Sequence, residues 1–155
     1  MTIIITLLQG LALVLLSLLL GAVFGIWRGY DPAGYSAATF VEVHQGAVRG
    51  LNLLLPLLGL ATLIIVAALA IAARQRSEIL GLYAGAFIAI AVAGAVTRFG
   101  NQPINDQVMT WSATSLPADW TAIRDGWWNF HLLRLAASFA GELLLIGAIF
   151  AQRSA

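Results

Sequence analysis

The sequence predicts an all-α protein, a polytopic membrane four-helix bundle with a single domain over residues 1–155. Three observations predict it. Of the 155 residues, 61% are hydrophobic and 10% charged, against about 45–50% and roughly 25% in soluble domains. Four apolar runs, about 3–27, 51–73, 79–97 and 130–150, match the roughly 20 helical residues that cross about 30 Å of hydrocarbon. Finally, only Arg74–Glu78 separates the second run from the third, which leaves room for a tight turn and nothing else.

The same composition excludes other classes. With a mean hydropathy of +0.91, the chain cannot cover a water-exposed globule with polar atoms, and disorder demands the opposite composition. A net charge of +1, from eight Arg and seven acids, offers no broad surface for nucleic acid, so no nucleic-acid partner is expected. The absence of cysteine excludes disulfides, thiolate metal sites and cysteine nucleophiles. No G-x-G-x-x-G, G-K-[ST], H-E-x-x-H or G-x-S-x-G motif occurs, so nucleotide, zincin and serine-hydrolase chemistry has no anchor.

The first run reads as an uncleaved helix: it lacks a basic leader, is too long for a signal peptide and precedes no A-x-A-like site. The second helix is expected to start beyond its apolar run, with Ser36 as N-cap after the turn-forming Asp31-Pro32-Ala33-Gly34. Continued to Ala73, it would be about 57 Å long at 1.5 Å per residue. Arg74 and Arg76 in the following turn place that turn, and with it both termini, in the cytoplasm of a cell membrane protein. In the third helix Gly81, Gly85, Ala89 and Ala93 recur every four residues, as Gly21, Gly25 and Gly29 do in the first. Such stripes allow close helix approach in lipid, either within the monomer or at a homo-oligomer seam. The fourth helix is expected to begin at Ser115–Asp119, with Pro117 in its first turn, and to run about 51 Å to Phe150. Helices two and four thus extend on the outer side and form a cap.

Chemistry is concentrated on two polar rows. At 100° per residue, Trp120, Arg124, Trp127, His131, Arg134, Ser138 and Glu142 fall within an arc of about 80° on the fourth helix. Charged groups inside an apolar span are costly unless they face the bundle interior and pair, so this row is expected to point inward, with Ser138 bridging Arg134 and Glu142. Glu42, Gln45, Arg49, Asn52 and Pro56 form a comparable row on the second helix. The economical arrangement faces the two rows, bringing Glu42 and Arg49 to Arg124, Arg134 and His131, with Ser17 and Arg28 added from the first helix. The plain alternative is a buried ion-pair network that fixes helix register without chemistry.

His44 and His131 are the two histidines of the chain. On different helices they are candidates for axial haem ligation, or for a transition-metal site with Glu42. The other reading makes His131 a base or hydrogen-bond donor without any metal.

The stretch Asn101-Gln102-Pro103-Ile104-Asn105, followed by Trp111 and by Trp120-x3-Arg124-x2-Trp127-x3-His131-x2-Arg134, resembles the anthrone-oxygenase-like family of small four-helix integral membrane proteins. The segment from Glu42 to Asn52 resembles that family's second-helix motif, and the likeness is nearest to the bacterial branch, mostly of unknown function. The resemblance implies oxidation of an activated methylene, converting an anthrone to an anthraquinone with dioxygen. Such a carbon acid needs a base, cationic groups over the enolate oxygen and a dry aromatic pocket, but no cofactor. In that scheme His131 is the base, Arg124 or Arg134 stabilises the enolate, and Glu42 orients His131 or accepts the proton. Trp120 and Trp127 stack on the substrate, Asn101 and Asn105 close the pocket, and Trp111, Arg49 and Asn52 complete its lining. The partners are then the lipid bilayer and a hydrophobic small molecule, anthrone- or quinol-like. Two alternatives stay open: a non-catalytic or transport-type binding protein for a lipid or small amphiphile, and a haem or metal protein using His44 and His131.

Overall fold

The computed structural model describes residues 3–154, and residue 154 by its backbone only. Among the described residues six α-helices build four membrane-length spans: α1 (Ile3–Gly29), α2 (Ala37–Leu51), α3 (Leu54–Ala72), α4 (Ser77–Val96), α5 (Gln102–Val108) and α6 (Trp120–Ser154). The helices form four continuous stretches, Ile3–Gly34, Ala37–Ala72, Ser77–Val108 and Trp120–Arg153, each long and apolar enough to cross a bilayer. The protein is a multi-pass membrane protein. Leu7, Val14, Leu57, Ile64, Ile71, Phe139 and Leu143 line its outside as exposed apolar side chains, the surface that hydrocarbon requires.

The bundle closes as a ring in which α1 packs on α3, α3 on α4, α4 on α6 and α6 on α1. Its core holds Leu16, Val66, Leu69, Tyr83, Ile90 and Leu145. At the end near the α3–α4 turn, Gln9 Nε2 donates to Tyr83 Oη and to Gln152 Oε1, and the Tyr83 hydroxyl donates to the same Gln152 oxygen, all at 2.8 Å. Three helices, α1, α4 and α6, are thereby tied together by hydrogen bonds. A second, aromatic core at the opposite end contains Tyr30, Phe40, Val41, Val108 and Trp127.

Two irregularities shape that aromatic end, and each has a local cause. Ser36 caps α2 as expected, its Oγ accepting the Thr39 N–H at 3.2 Å. The helix then breaks at Asn52–Leu53, because Pro56 has no N–H to give to the Asn52 carbonyl and its ring crowds that group. The third span contains a π turn at Thr97–Asn101, closed by the Gln102 N–H on the Thr97 carbonyl, immediately before Pro103. There Gly100 faces the Phe130 ring so closely that a Cβ would lie 2.6 Å from Phe130 Cγ. Gly141 serves the same purpose lower down, where a Cβ would come within 2.8 Å of Ile90 Cγ1.

The fourth long helix starts at Trp120, five residues later than the Ser115 start expected from sequence. Ser115 instead pairs with Ser112 in a small bridge, and its N–H goes to the Ser112 carbonyl. Pro117 and Asp119 supply carbonyls to the first turn rather than belonging to it. Of the glycine stripes, Gly85 packs on Leu144, whereas Gly21, Gly25 and Gly29 face open space.

Candidate functional site

A cavity of about 410 Å³ opens between α1 and α2, within the range of about 300–1,000 Å³ typical of small-molecule sites. Its mouth is small and apolar, with Gly25 and Gly29 of α1 opposite Val43 and Ala47 of α2. Its depth is polar and aromatic, with Tyr30, His44, Asn52, Asn105, Trp127 and Arg134. A smaller cavity of about 240 Å³, walled by α1, α3, α4 and α6 and open past the exposed Leu60 and Gly94, shares Leu55, Pro56, Thr97 and Arg134 with the first.

His44 is buried and every donor and acceptor around it can be assigned. An indole nitrogen only donates, so the atom of Asn105 that receives Trp127 Nε1 at 2.8 Å is the oxygen. That orientation sends Asn105 Nδ2 to Asn52 Oδ1 at 3.0 Å. His44 Nε2, 3.1 Å from the same Asn105 oxygen, must then carry the proton. Nδ1 is left as an acceptor for the Tyr30 hydroxyl at 3.0 Å. The neutral imidazole thus presents its lone pair toward the cavity through a phenol. The α2 break places Asn52 at this center, and the π turn and α5 bring up Asn105.

Arg134 and His131 form the second unit. Arg134 Nε and Nη2 both point at His131 Nδ1, at 3.2 and 2.9 Å. A guanidinium offers donors only, so Nδ1 accepts and the imidazole proton sits on Nε2. That nitrogen is buried without a hydrogen-bond partner, near the Val23 backbone. The His131 ring is stacked on Trp127 at 5.2 Å and on Trp128 at 5.3 Å. Arg134 also lies over the Trp127 ring, with Cζ 5.7 Å from its center. Among the described residues Arg134 has no ion pair, the salt bridge there being Arg124–Asp125 at 2.8 Å. A guanidinium in hydrocarbon with a neutral partner is an uncompensated cation, and it lines both cavities.

The inward row on α6 is present: Trp127, His131, Arg134 and Ser138 are buried. Its expected partner row is present only at its inner end, where Asn52 and Pro56 line the same cavity as Trp127 and Arg134. Glu42 and Arg49 are exposed, and the buried face of α2 is Phe40, Val41 and His44. The outer part of α2 follows the ordinary amphipathic rule, charges out and aromatics in, so Glu42 and Arg49 do not meet Arg124, Arg134 or His131. Arg28 is likewise exposed, over the Trp27 ring. Gln45, another polar group of that row, clamps the end of α5 and the chain after it by donating to the Val108 and Trp111 carbonyls at 2.9 and 3.0 Å. Glu142 takes the Ser17 hydroxyl, and the Arg134 donors that sequence sent toward it through Ser138 go to His131.

The other site candidates are dispersed. Asn101 donates to the Trp127 carbonyl at 3.0 Å and so fixes α6 against the π turn. Trp120 and Trp111 pack around Phe40, and Arg124 lies over Trp120. His131 is not among the cavity-lining residues; His44, which sequence weighed only as a ligand, is. Both of its ring nitrogens are hydrogen-bonded, and no group of three or more His, Asp or Glu that could hold a metal occurs among the described residues. Tyr30 is legible in sequence only as one of the aromatics gathered at that end, with no role of its own. The signal for His44 was the i, i+1, i+4 spacing of Phe40, Val41 and His44, an apolar-aromatic face that outweighs the polar row.

A sequence model of the anthrone oxygenase family matches residues 45–144, covering the α2 end, α3, α4, α5 and most of α6. Comparison with curated proteins and with solved structures gives no match.

Proposed function

Since the chain belongs to the anthrone oxygenase family, we propose that its outer cavity binds a hydrophobic ring, an anthrone-like carbon acid or a hydroquinone-like phenol, and oxidises it with dioxygen. The observation that carries this reading is the uncompensated Arg134 guanidinium facing the same cavity as a neutral His44. One is a site for developing negative charge and the other a base that can create it.

The steps balance for an anthrone. The Tyr30 oxygen takes a proton from the methylene as its own proton passes to His44 Nδ1, and the imidazolium is held by Nε2–H on Asn105 Oδ1. The enolate oxygen faces Arg134. One electron passes to dioxygen, giving superoxide and a carbon radical. The two combine as a C–O bond, and the peroxide takes up the proton that His44 holds. Loss of water across the C–H and O–O bonds then leaves the ketone. In sum a CH₂ and O₂ become C=O and H₂O. Trp127 supplies a stacking face, Asn52 and Asn105 hydrogen-bond the ring substituents, and His131 holds Arg134 in place. The base is assigned to His44 rather than His131 because His44 lines the cavity.

The test is oxygen uptake by purified protein with anthrone, followed by the quinone absorbance. His44→Ala should lower turnover by about 10²–10⁴-fold, the usual worth of a general base. A folded variant with unchanged turnover refutes the assignment. The apolar mouth also favours a second reading, a binding protein that holds an amphiphile without turning it over; binding without oxygen uptake would select it. Arg74 and Arg76 support placement in the cell membrane with both termini in the cytoplasm.

A further inference from the structure

The geometry points to a ligand that is a ring bearing an aliphatic chain, with the ring in the outer cavity and the chain running past Arg134 into the inner one. This rests on the ring-binding reading above and adds the chain. Three observations carry it. First, the two cavities are adjacent: Leu55, Pro56, Thr97 and Arg134 wall both. Second, their linings differ as the two ends of an amphiphile do. Tyr30, His44, Asn52 and Asn105 converge in the outer one, whereas Leu19, Val23, Leu63, Ile90 and Ala93 dominate the inner one. A ring of the size implied needs no such annex, and apolar surface that lines a concave recess gains contacts when an apolar chain fills it.

Third, the entrance reaches the apolar run of α1. Gly25 is exposed within that run, and Gly29 and Val43 at the mouth are exposed just beyond the apolar runs. A Cβ added at Gly25 or Gly29 would meet nothing within 4 Å, so the gap there is open. A molecule dissolved in the bilayer can therefore enter sideways, chain included. Arg134 stands where the ring's polar edge would meet the start of the chain.

The experiment compares 2,3-dimethoxy-5-methylbenzoquinone with its 6-decyl derivative, by tryptophan quenching in nanodiscs of one lipid composition with empty nanodiscs as blank. The wild type should bind the decyl compound about tenfold or more tightly than the bare ring. Ala93→Leu places a larger side chain in the inner cavity and should bring that ratio to about one while leaving bare-ring affinity unchanged. Gly94→Leu, where a Cβ meets nothing within 4 Å, repeats the test from a position that tolerates the change. Bare-ring binding with no advantage for the decyl compound, or with an advantage that survives both substitutions, overturns the inference and leaves the ring site standing. Failure of both compounds to bind overturns the ring site and the inference together.

Discussion

The His44 imidazole and the Trp127 indole donate to the same atom, Asn105 Oδ1, at 3.1 and 2.8 Å. Asn105 is therefore the hinge pin of the site, joining α2 to α6 through the end of the third span. Replacing Asn105 with Leu leaves two buried donors unsatisfied, at about 1–3 kcal/mol each. The expected result is a lower melting temperature in detergent together with loss of turnover. Asn105→Leu with wild-type stability would show that these bonds are not formed.

Removing the Arg134 charge separates function from stability. Arg134→Gln should lower turnover by about 10²–10³-fold, as loss of a preorganised electrostatic donor does. Thermal stability should hold or rise, because the charge lost had no counter-ion. A large drop in melting temperature with little change in rate would assign Arg134 a purely structural role.

The solvated face of α2 should be silent. Glu42→Gln and Arg49→Gln change exposed side chains, so stability should stay within about 0.5 kcal/mol and turnover should not move. Oxygen uptake by either variant at a tenth of the wild-type rate would restore these residues to the site.

Two glycines should respond oppositely to alanine. Gly100→Ala drives a methyl group into the Phe130 ring and should cost about 1–3 kcal/mol. Gly21→Ala meets open space and should gain up to about 1 kcal/mol from helix propensity. Parallel thermal melts in one detergent decide both.

Pro56→Ala gives the Asn52 carbonyl an intrahelical partner and should straighten the α2–α3 junction. The fold should tolerate it, but Asn52 would move relative to Asn105. A misplacement near 1 Å lowers turnover on the order of 10²-fold, and unchanged kinetics would show that the break is incidental.

Much of this was legible in the sequence, for physical reasons that also mark where legibility ended. Span length and apolarity depend on local composition, so the four spans and the Ser36 cap could be read directly. The α6 row was legible because Arg134 in an apolar run has nowhere inexpensive to point except inward. The facing side of α2 was not, because Glu42 and Arg49 lie where charges can stay solvated. The rule that turns charges inward stops applying there, and Phe40 and His44 decide the face. The pairing of Arg134 with His131 was equally hidden: a guanidinium bonded to a neutral imidazole three residues back competes with the longer reach to Glu142. The π turn leaves no periodic trace other than Pro103.

That π turn gives the protein an unusual dependence on chain length. A π turn is an α-helix with one added residue, and each residue advances a helix by about 100°. Deleting a single amino acid between Thr97 and Asn101 would restore regular winding and swing Asn105 away from both His44 and Trp127. The proposed center would vanish without any of its own residues being altered, so a one-codon insertion suffices to separate an inert four-helix scaffold from one equipped with the proposed chemistry.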